Sequence, residues 1–554
     1  MFKREQISVR FDTSEVLSPG TTMSPVLLLF LLPTTLSSES TSTQAETSTG
    51  LKFIVAFPEN IAYYHPDQPQ NKVRITALYH NTELIIKMNT SHIQTEILNA
   101  RQTWEFAPDA KLELDRSEIA NKTLLITSDK LITVHVVSLK SNSMQTILIT
   151  PADRLGTEYL IPPVPMIEGT THPVDMVMRD VAERGPFKLI IINVDQENTV
   201  TVQGAVSKVV SLQPYQVAQI WVKTEDILRT VKADQPVAVL FGHSCAIRYN
   251  CTCGQLYTLL PSAREEQQKF YIPPVLAKGA EDETFVLLST QVSPFNSNSG
   301  LVMTAGTAML YRPGLLLPLI PEIDFAACSV VSFITSVQNF AVIVVHKDFT
   351  DGVHVGSRPL ESPEWQQLQG TELVSTSVVL ASNQTVIWHS FSKMAVYFLG
   401  KKAGAVFGHP AAVVSKIPDI RGCVVSPEVV KIGQHAGSWQ ESLKYCKDNN
   451  LELVSFPKAQ LQRQIYDKIV QAKNDSLQVV WIGMRRSSQT GEWYWLSRDP
   501  VTDTNWGDGE PGMVHDGQCA IMSLERSKDF GWSDENCCKN IHPLCYSSPV
   551  LLSV

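Results

Sequence analysis

The chain has 554 residues, 44% of them hydrophobic and 18% charged, with a formal net charge of −9. That length exceeds what one hydrophobic core normally serves, so two or more domains are expected, and the composition excludes extensive disorder. The acidic balance leaves no basic field for nucleic acid.

At the amino end, the run Val26-Leu27-Leu28-Leu29-Phe30-Leu31-Leu32 precedes small residues at Ser37 and Ser38. It reads as a secretory signal and is too short to span a bilayer. Residues 1–22 are polar and mixed in charge, which makes Met23 the expected start of a leader ending at residue 37. Residues 38–50, rich in Ser and Thr, read as a flexible segment. Asn-x-Ser/Thr tripeptides at Asn89, Asn121, Asn250, Asn383 and Asn474 are glycan acceptors in a secreted chain. No later stretch has the length of a membrane span, so the expected location is extracellular.

From Leu51 to about residue 415 the apolar runs have strand character. Val73–Leu78, Thr133–Val137, Lys188–Ile192 and Ala341–Val345 are short, β-branched and bounded by polar turns. The block also repeats itself. Thr127–His135 matches Lys232–Val239 and again Ser336–Val342, about 105 residues apart each time, which suggests triplication. Thr150-Pro151-Ala152-Asp153-Arg154 leading to Tyr159–Val164 matches Leu260-Pro261-Ser262-Ala263-Arg264 leading to Phe270–Val275. A period of this length suits tandem β-sandwiches, and alternate half-units match whereas adjacent ones do not. The alternative is a β-propeller whose blades are the half-units of about 50 residues.

Pro151–Tyr159 and Gly242–Ala246 resemble the amino-terminal domain of the IgG Fc-binding protein family, over roughly residues 51–415. That resemblance implies an extracellular, mucus-associated adhesive or recognition protein. The cysteine-rich von Willebrand type D repeats of that family are missing here.

No Gly-x-Ser-x-Gly, His-Glu-x-x-His or Gly-x-x-x-x-Gly-Lys-Ser/Thr motif occurs. His243 with Cys245, Cys251 and Cys253 could hold zinc or supply a Cys/His nucleophile. In a secreted chain these three cysteines with Cys328 are better read as two disulfides, for which three pairings exist. His135, His346 and His389 lie inside strand patterns and read as packed or edge residues. The protein is expected not to be an enzyme.

Lys416-Ile417-Pro418-Asp419 is the expected boundary with a second domain over residues 423–546, followed by a tail at 547–554. Ser438 with Glu441 forms a capping box, and Trp439, Leu443 and Cys446 then share a helical face. After Pro457, which suits a first-turn position, Leu461, Ile465 and Ile469 recur at steps of four. The period then shortens: Val479–Ile482, Glu492–Leu496 and Cys519–Met522 read as strands, with a glycine-rich loop from Asn505 to Gly517. Two helices followed by strands make an α+β module. Six of the ten cysteines fall between Cys423 and Cys545, a density that points to disulfides and an oxidising compartment.

The order Ser438-Trp439-Gln440-Glu441, Cys446, Trp481-Ile482-Gly483, Trp493-Tyr494-Trp495, Trp506, Glu510-Pro511, Cys519, Trp532, Cys537, Cys545 resembles the C-type lectin-like domain. The resemblance implies the disulfides Cys446–Cys545 and Cys519–Cys537. Cys423 would pair either with Cys538 or with Cys328. It also implies calcium as the cofactor and glycans, glycoproteins or protein ligands as partners. Sugar-binding members hold calcium through a Glu-Pro-Asn or Gln-Pro-Asp triplet, an acid just before a framework cysteine, and an Asn-Asp pair after a strand tryptophan.

Here the triplet is Glu510-Pro511-Gly512, the pre-cysteine position is Gly517 with Asp516 before it, and the pair is Ser533-Asp534. Glu510 and Asp534 match as metal ligands, Asp516 and Ser533 are candidate substitutes, and one ligand is missing. Fewer oxygens mean weaker calcium binding, so calcium-dependent and calcium-independent recognition through this loop both stay open. Trp481, Trp493, Trp495 and Trp532 read as core, and Trp506 as a residue available to ligand. The function expected is recognition or adhesion through the lectin-like module. The alternative is a structural mucus or matrix component whose β-block mediates assembly, immunoglobulin Fc binding included.

Overall fold

β-Branched runs without helical periodicity become strands throughout the first block, and a computed structural model shows how they are layered. It describes residues 47–552 apart from 62–67, 89–90, 141–142, 165–186, 223–226, 248–252, 290, 297, 362, 383, 403–404, 473–476 and 514–516. The expected leader and most of the Ser/Thr-rich segment lie outside the described residues. The end of that segment is ordered: Ser48 donates its backbone N–H to Val413 at 2.8 Å, and a strand begins at Gly50.

Between Gly50 and Ser415 the described residues form seven sheets. The first is built on the long strand Leu124–Lys140, which pairs with Gly50–Val55, Gln70–Ala77, Thr82–Met88 and Ser143–Ile149. The second centres on Phe187–Asn193, held between Val217–Val222 and Val237–Ile247. In this strand Ile190 and Ile192 enter the core shared with the first sheet, while Leu189 and Ile191 enter the core on the opposite face. Burial on both faces is why the run is continuously apolar rather than alternating. Gln338–His346 repeats the device, with Val342 and Val344 facing one core and Ala341, Ile343 and Val345 the other.

Sheets therefore pack face to face as in sandwiches, but each major sheet shares a core with the next. Four terminal strands, Ser143–Ile149, Cys253–Leu259, Leu315–Pro318 and Ala405–Pro410, lie beside one another in a closed circuit. Closure of that kind is the feature expected of the propeller alternative. The duplicated segments Thr150–Arg154 and Leu260–Arg264 each follow one of these inner strands, so this sequence repeat is also a structural one. The third match differs. Ser336–Val342 falls largely on Gln338–His346, which Ala395–Lys402 separates from the inner strand of its sheet.

The carboxyl-terminal module is α+β. Its first helix, Trp439–Asp448, has the capping box in place: Glu441 N donates to Ser438 Oγ, and Ser438 N donates to Glu441 Oε2 at 2.8 Å. The second helix, Ala459–Ala472, starts two residues after Pro457. Pro457 is thus outside the first turn, because Asp503 from a distant loop accepts Ala459 N at 3.0 Å and sets the start. The strands Val479–Arg486, Trp493–Trp495, Cys519–Ser523 and Trp532–Glu535 join Val429–Ile432 and His542–Ser547 in one sheet. Gly483 lets this sheet approach the preceding segment, since a Cβ there would lie 2.5 Å from Leu453 O. Trp439 Nε1 donates to Ile482 O and Trp481 Nε1 to Gly437 O, each at 2.9 Å, so two core indoles lock the helix end to the sheet.

Cys446–Cys545 and Cys519–Cys537 are bonded as the resemblance implies. Cys423 is bonded to Cys328, which resolves the open alternative. Two disulfides among Cys245, Cys251, Cys253 and Cys328 therefore do not form. Cys245 pairs with Cys253, and Cys328 is turned toward the module by its place on the strand facing Ser415. Cys538 is the one unpaired cysteine among the described residues. The expected tail is structured as well: Val550–Leu551 pairs with Val424–Ser426, and Leu552 is buried beside the Cys328–Cys423 bond. Among the described residues no helix is long and apolar enough to cross a membrane.

Candidate functional site

Backbone pairing places the loop after Asn505 against the strand Trp532–Glu535. Trp532 N donates to Asn505 O at 2.7 Å and Gly507 N to Trp532 O at 2.9 Å. Asn505 Nδ2 adds bonds to Asp529 O and Phe530 O at 3.0 and 3.1 Å. Indole packing fixes the same junction: Trp506 lies 4.9 Å from Trp493 and 5.7 Å from Trp532, ring centre to ring centre. Trp506 is half-buried in that cluster, so only part of its ring remains for a ligand. Trp481, Trp495 and Trp532 are fully buried and Trp493 partly so.

From this anchor the chain turns through Gly509, in the left-handed region at φ +81°, and the Glu510–Pro511 peptide is cis. Gly512 N then donates to Asp534 Oδ1 at 2.5 Å. That bond draws Glu510 and Asp534 together, 24 residues apart in sequence. Asp534 Oδ2 is buried and receives no N–H donor among the described residues. Burial, and after it the hydrogen bond and charge of Asp534, hold the Glu510 carboxyl above the usual carboxylate range.

Two adjoining carboxyls suit a cation, but calcium takes six to eight oxygens. Gly512 offers no side chain. At Gly517 a Cβ would lie 2.5 Å from Glu535 N, so the backbone leaves no room for the acid that sugar-binding relatives carry there. Ser533 is half-buried opposite Ile521, and Asp516 lies outside the described residues. No group of three or more His, Cys, Asp or Glu side chains converges among the described residues. Among the described residues the donor set falls short of a calcium shell.

The other candidates have local roles. His243 Nδ1 accepts Cys245 N at 3.0 Å beside the Cys245–Cys253 disulfide, which removes two thiolates from the suggested zinc set. His389 is enclosed, its Nε2 bonded to Phe349 O and its Nδ1 accepting Phe391 N and Ser392 N. Asn121 is exposed, whereas Asn89, Asn250, Asn383 and Asn474 lie outside the described residues. Asn505, which anchors the loop, was not singled out from sequence, and Gly512 was read there only as a triplet position without a ligand oxygen. Asn505 acts through its carbonyl and its side-chain amide, and Gly512 through its N–H, on residues distant in sequence that no local pattern marks.

The helix pair, the two disulfides and the long loop on a tryptophan-rich sheet define a C-type lectin-like module. The family model for the lectin C-type domain matches residues 435–547, and that for IgGFc binding protein matches residues 145–296. The chain belongs to the C-type lectin family through the first of these segments. It is 30% identical over 110 residues to C-type lectin lectoxin-Phi1 of Philodryas olfersii, covering 20% of this chain and 69% of that one. C-type lectin domain family 17, member A of Homo sapiens is 32% identical over 108 residues, covering 20% of this chain and 26% of that protein. IgGFc-binding protein of Homo sapiens is 30% identical over 203 residues, 34% of this chain. The chain spans 26% and 4% of the length of these two human relatives.

Proposed function

We propose that this is an extracellular, non-enzymatic recognition protein that binds carbohydrate or glycoprotein ligands through the loop and strand carrying Glu510 and Asp534, without a complete calcium site. The supporting observation is the carboxyl pair held together by the bond from Gly512 N to Asp534 Oδ1. Carboxylate oxygens accept hydrogen bonds from vicinal sugar hydroxyls, and half-buried Trp506 offers an apolar edge beside them. The glycine at residue 517 favours independence from calcium, since it bars one acidic ligand. Glycan-array binding of the full chain, with calcium and with chelator, tests this. Binding that survives chelator and is lost in Asp534→Ala is the expected result. Loss of signal in chelator overturns the calcium-independent reading, and silence on every glycan selects a structural role.

The match over residues 145–296 supports a second reading, in which the β-block binds protein, immunoglobulin Fc included. Saturable binding of the full chain to immobilised Fc, unaffected by Asp534→Ala, is its expected signature.

A further inference from the structure

Leu148, Leu259, Pro318 and Pro410, at the ends of the four inner strands of the β-block, all border one cavity of about 480 Å³. It therefore lies where the closed circuit of strands stops, with every member of the circuit contributing to it. That volume is within the range of roughly 300–1,000 Å³ typical of small-molecule sites. Its wall is apolar, with Tyr159, Leu260, Phe270 and Leu319 buried in it.

The charges that line it cancel. Arg154 and Arg264 are matched there by Asp153 and Asp324, each carboxylate within ion-pair distance of one of the guanidiniums. No other Lys, Arg, Asp or Glu among the described residues lines the cavity. Unmet hydrogen-bonding capacity lies instead on uncharged groups. Thr307 and His409, 3% and 2% exposed, both line the cavity, and Thr307 Oγ1 and His409 Nε2 have no hydrogen-bond partner among the described residues. His409 Nδ1 donates to Pro410 O at 2.7 Å, and burial lowers the ring to about 4, so at neutral pH Nε2 carries a lone pair and accepts. A buried polar atom left unpaired is costly, and a ligand group that pairs with it recovers that cost.

We infer that this cavity is a binding site for an uncharged ligand with an apolar body and a hydroxyl group, distinct from the lectin loop and independent of what that loop binds. The apolar wall takes the body. A hydroxyl is both donor and acceptor, which suits the acceptor nitrogen of His409 and the hydroxyl of Thr307. A carboxylate or an ammonium would lose its hydration in a site without net charge to offset the loss, and that selects a neutral molecule. A straight-chain alcohol and a compact cyclic alcohol share this chemistry.

Calorimetric titration of the full chain with 1-octanol, menthol, the methyl ether of each, octanoate and octylammonium separates the cases. At least one alcohol is expected to bind saturably and at least tenfold more tightly than its ether, which lacks the donor. Octanoate and octylammonium are expected to bind at least tenfold more weakly than that alcohol. The tighter of the two alcohols identifies the shape of the body. Thr307→Val removes the hydroxyl at nearly constant volume and leaves no unpaired group behind; it is expected to weaken the tighter alcohol at least threefold and to leave its ether unchanged. Hydrogen exchange on the unmodified chain gives a readout free of any folding defect: the alcohol is expected to slow exchange at residues 258–260, 319–320 and 411. Equal binding of alcohol and ether, tighter binding of either ion, no binding of either alcohol, an unaltered affinity in Thr307→Val, or protection elsewhere overturns the proposal.

Discussion

His135 and His409 are the buried side chains whose chemistry least suits their surroundings. Their rings are 4.8 Å apart, and both ring nitrogens of His135 and Nε2 of His409 have no hydrogen-bond partner among the described residues. Burial first, then the charges of His409 and Arg74, depress the His135 value well below 6.5. Burial, partly offset by the bond to Pro410 O, lowers His409 to about 4. Arg74 stands directly across the sheet from His135, with Glu105 paired to it. Both folded values lie below the unfolded one, so the neutral pair contributes fully above pH 6.5 and its contribution is lost as pH falls toward about 4. Thermal midpoints at pH 7 and pH 5 are expected to differ less in His135→Phe than in the unaltered chain. An unchanged difference would exclude the pair as the cause. At Gly517, by contrast, the side chain is absent because the backbone of Glu535 occupies its space. The missing acid was visible in the sequence; the obstruction that accounts for it was not.

Among the elements, the helix at Trp439–Asp448 was legible because its signals are local. The cap, the acid three residues on and the apolar face all lie within one turn or two. Ser438→Ala is expected to cost about 1 kcal/mol, read as a lower denaturant midpoint with unchanged slope. A change below a few tenths would mean that Trp439 and Cys446 hold the helix without its cap. The second helix was legible in existence and not in its start, since Asp503 comes from 44 residues away. Strands of the β-block were readable from β-branched runs, but their layering was not. A run buried on both faces, such as Leu189–Ile192, carries no alternation to reveal which neighbour each residue meets. The third repeat misled for a related reason. Ser336–Val342 has the local pattern of its counterparts while occupying a strand further from the centre.

Across the whole molecule, the Cys328–Cys423 bond fastens the lectin module to the β-block, and Val550–Leu551 closes back on Val424–Ser426 beside it. A link across 95 residues removes on the order of 4 kcal/mol of unfolded-state entropy in the chain-entropy model. Replacing both cysteines by serine is expected to lower the thermal midpoint and to open residues 416–422 to proteolysis, with Cys446–Cys545 and Cys519–Cys537 retained. An unaltered midpoint and cleavage pattern would show that the apolar contacts of Leu78, Trp388 and Leu552 suffice. The sequence by itself determined the two-part organisation, the strand and helix types and the lectin framework, because periodicity, capping and cysteine order are short-range records. Tertiary structure alone decided the partner of Cys423 and the closed circuit of inner strands. Each depends on where distant backbone passes, and no local pattern encodes that.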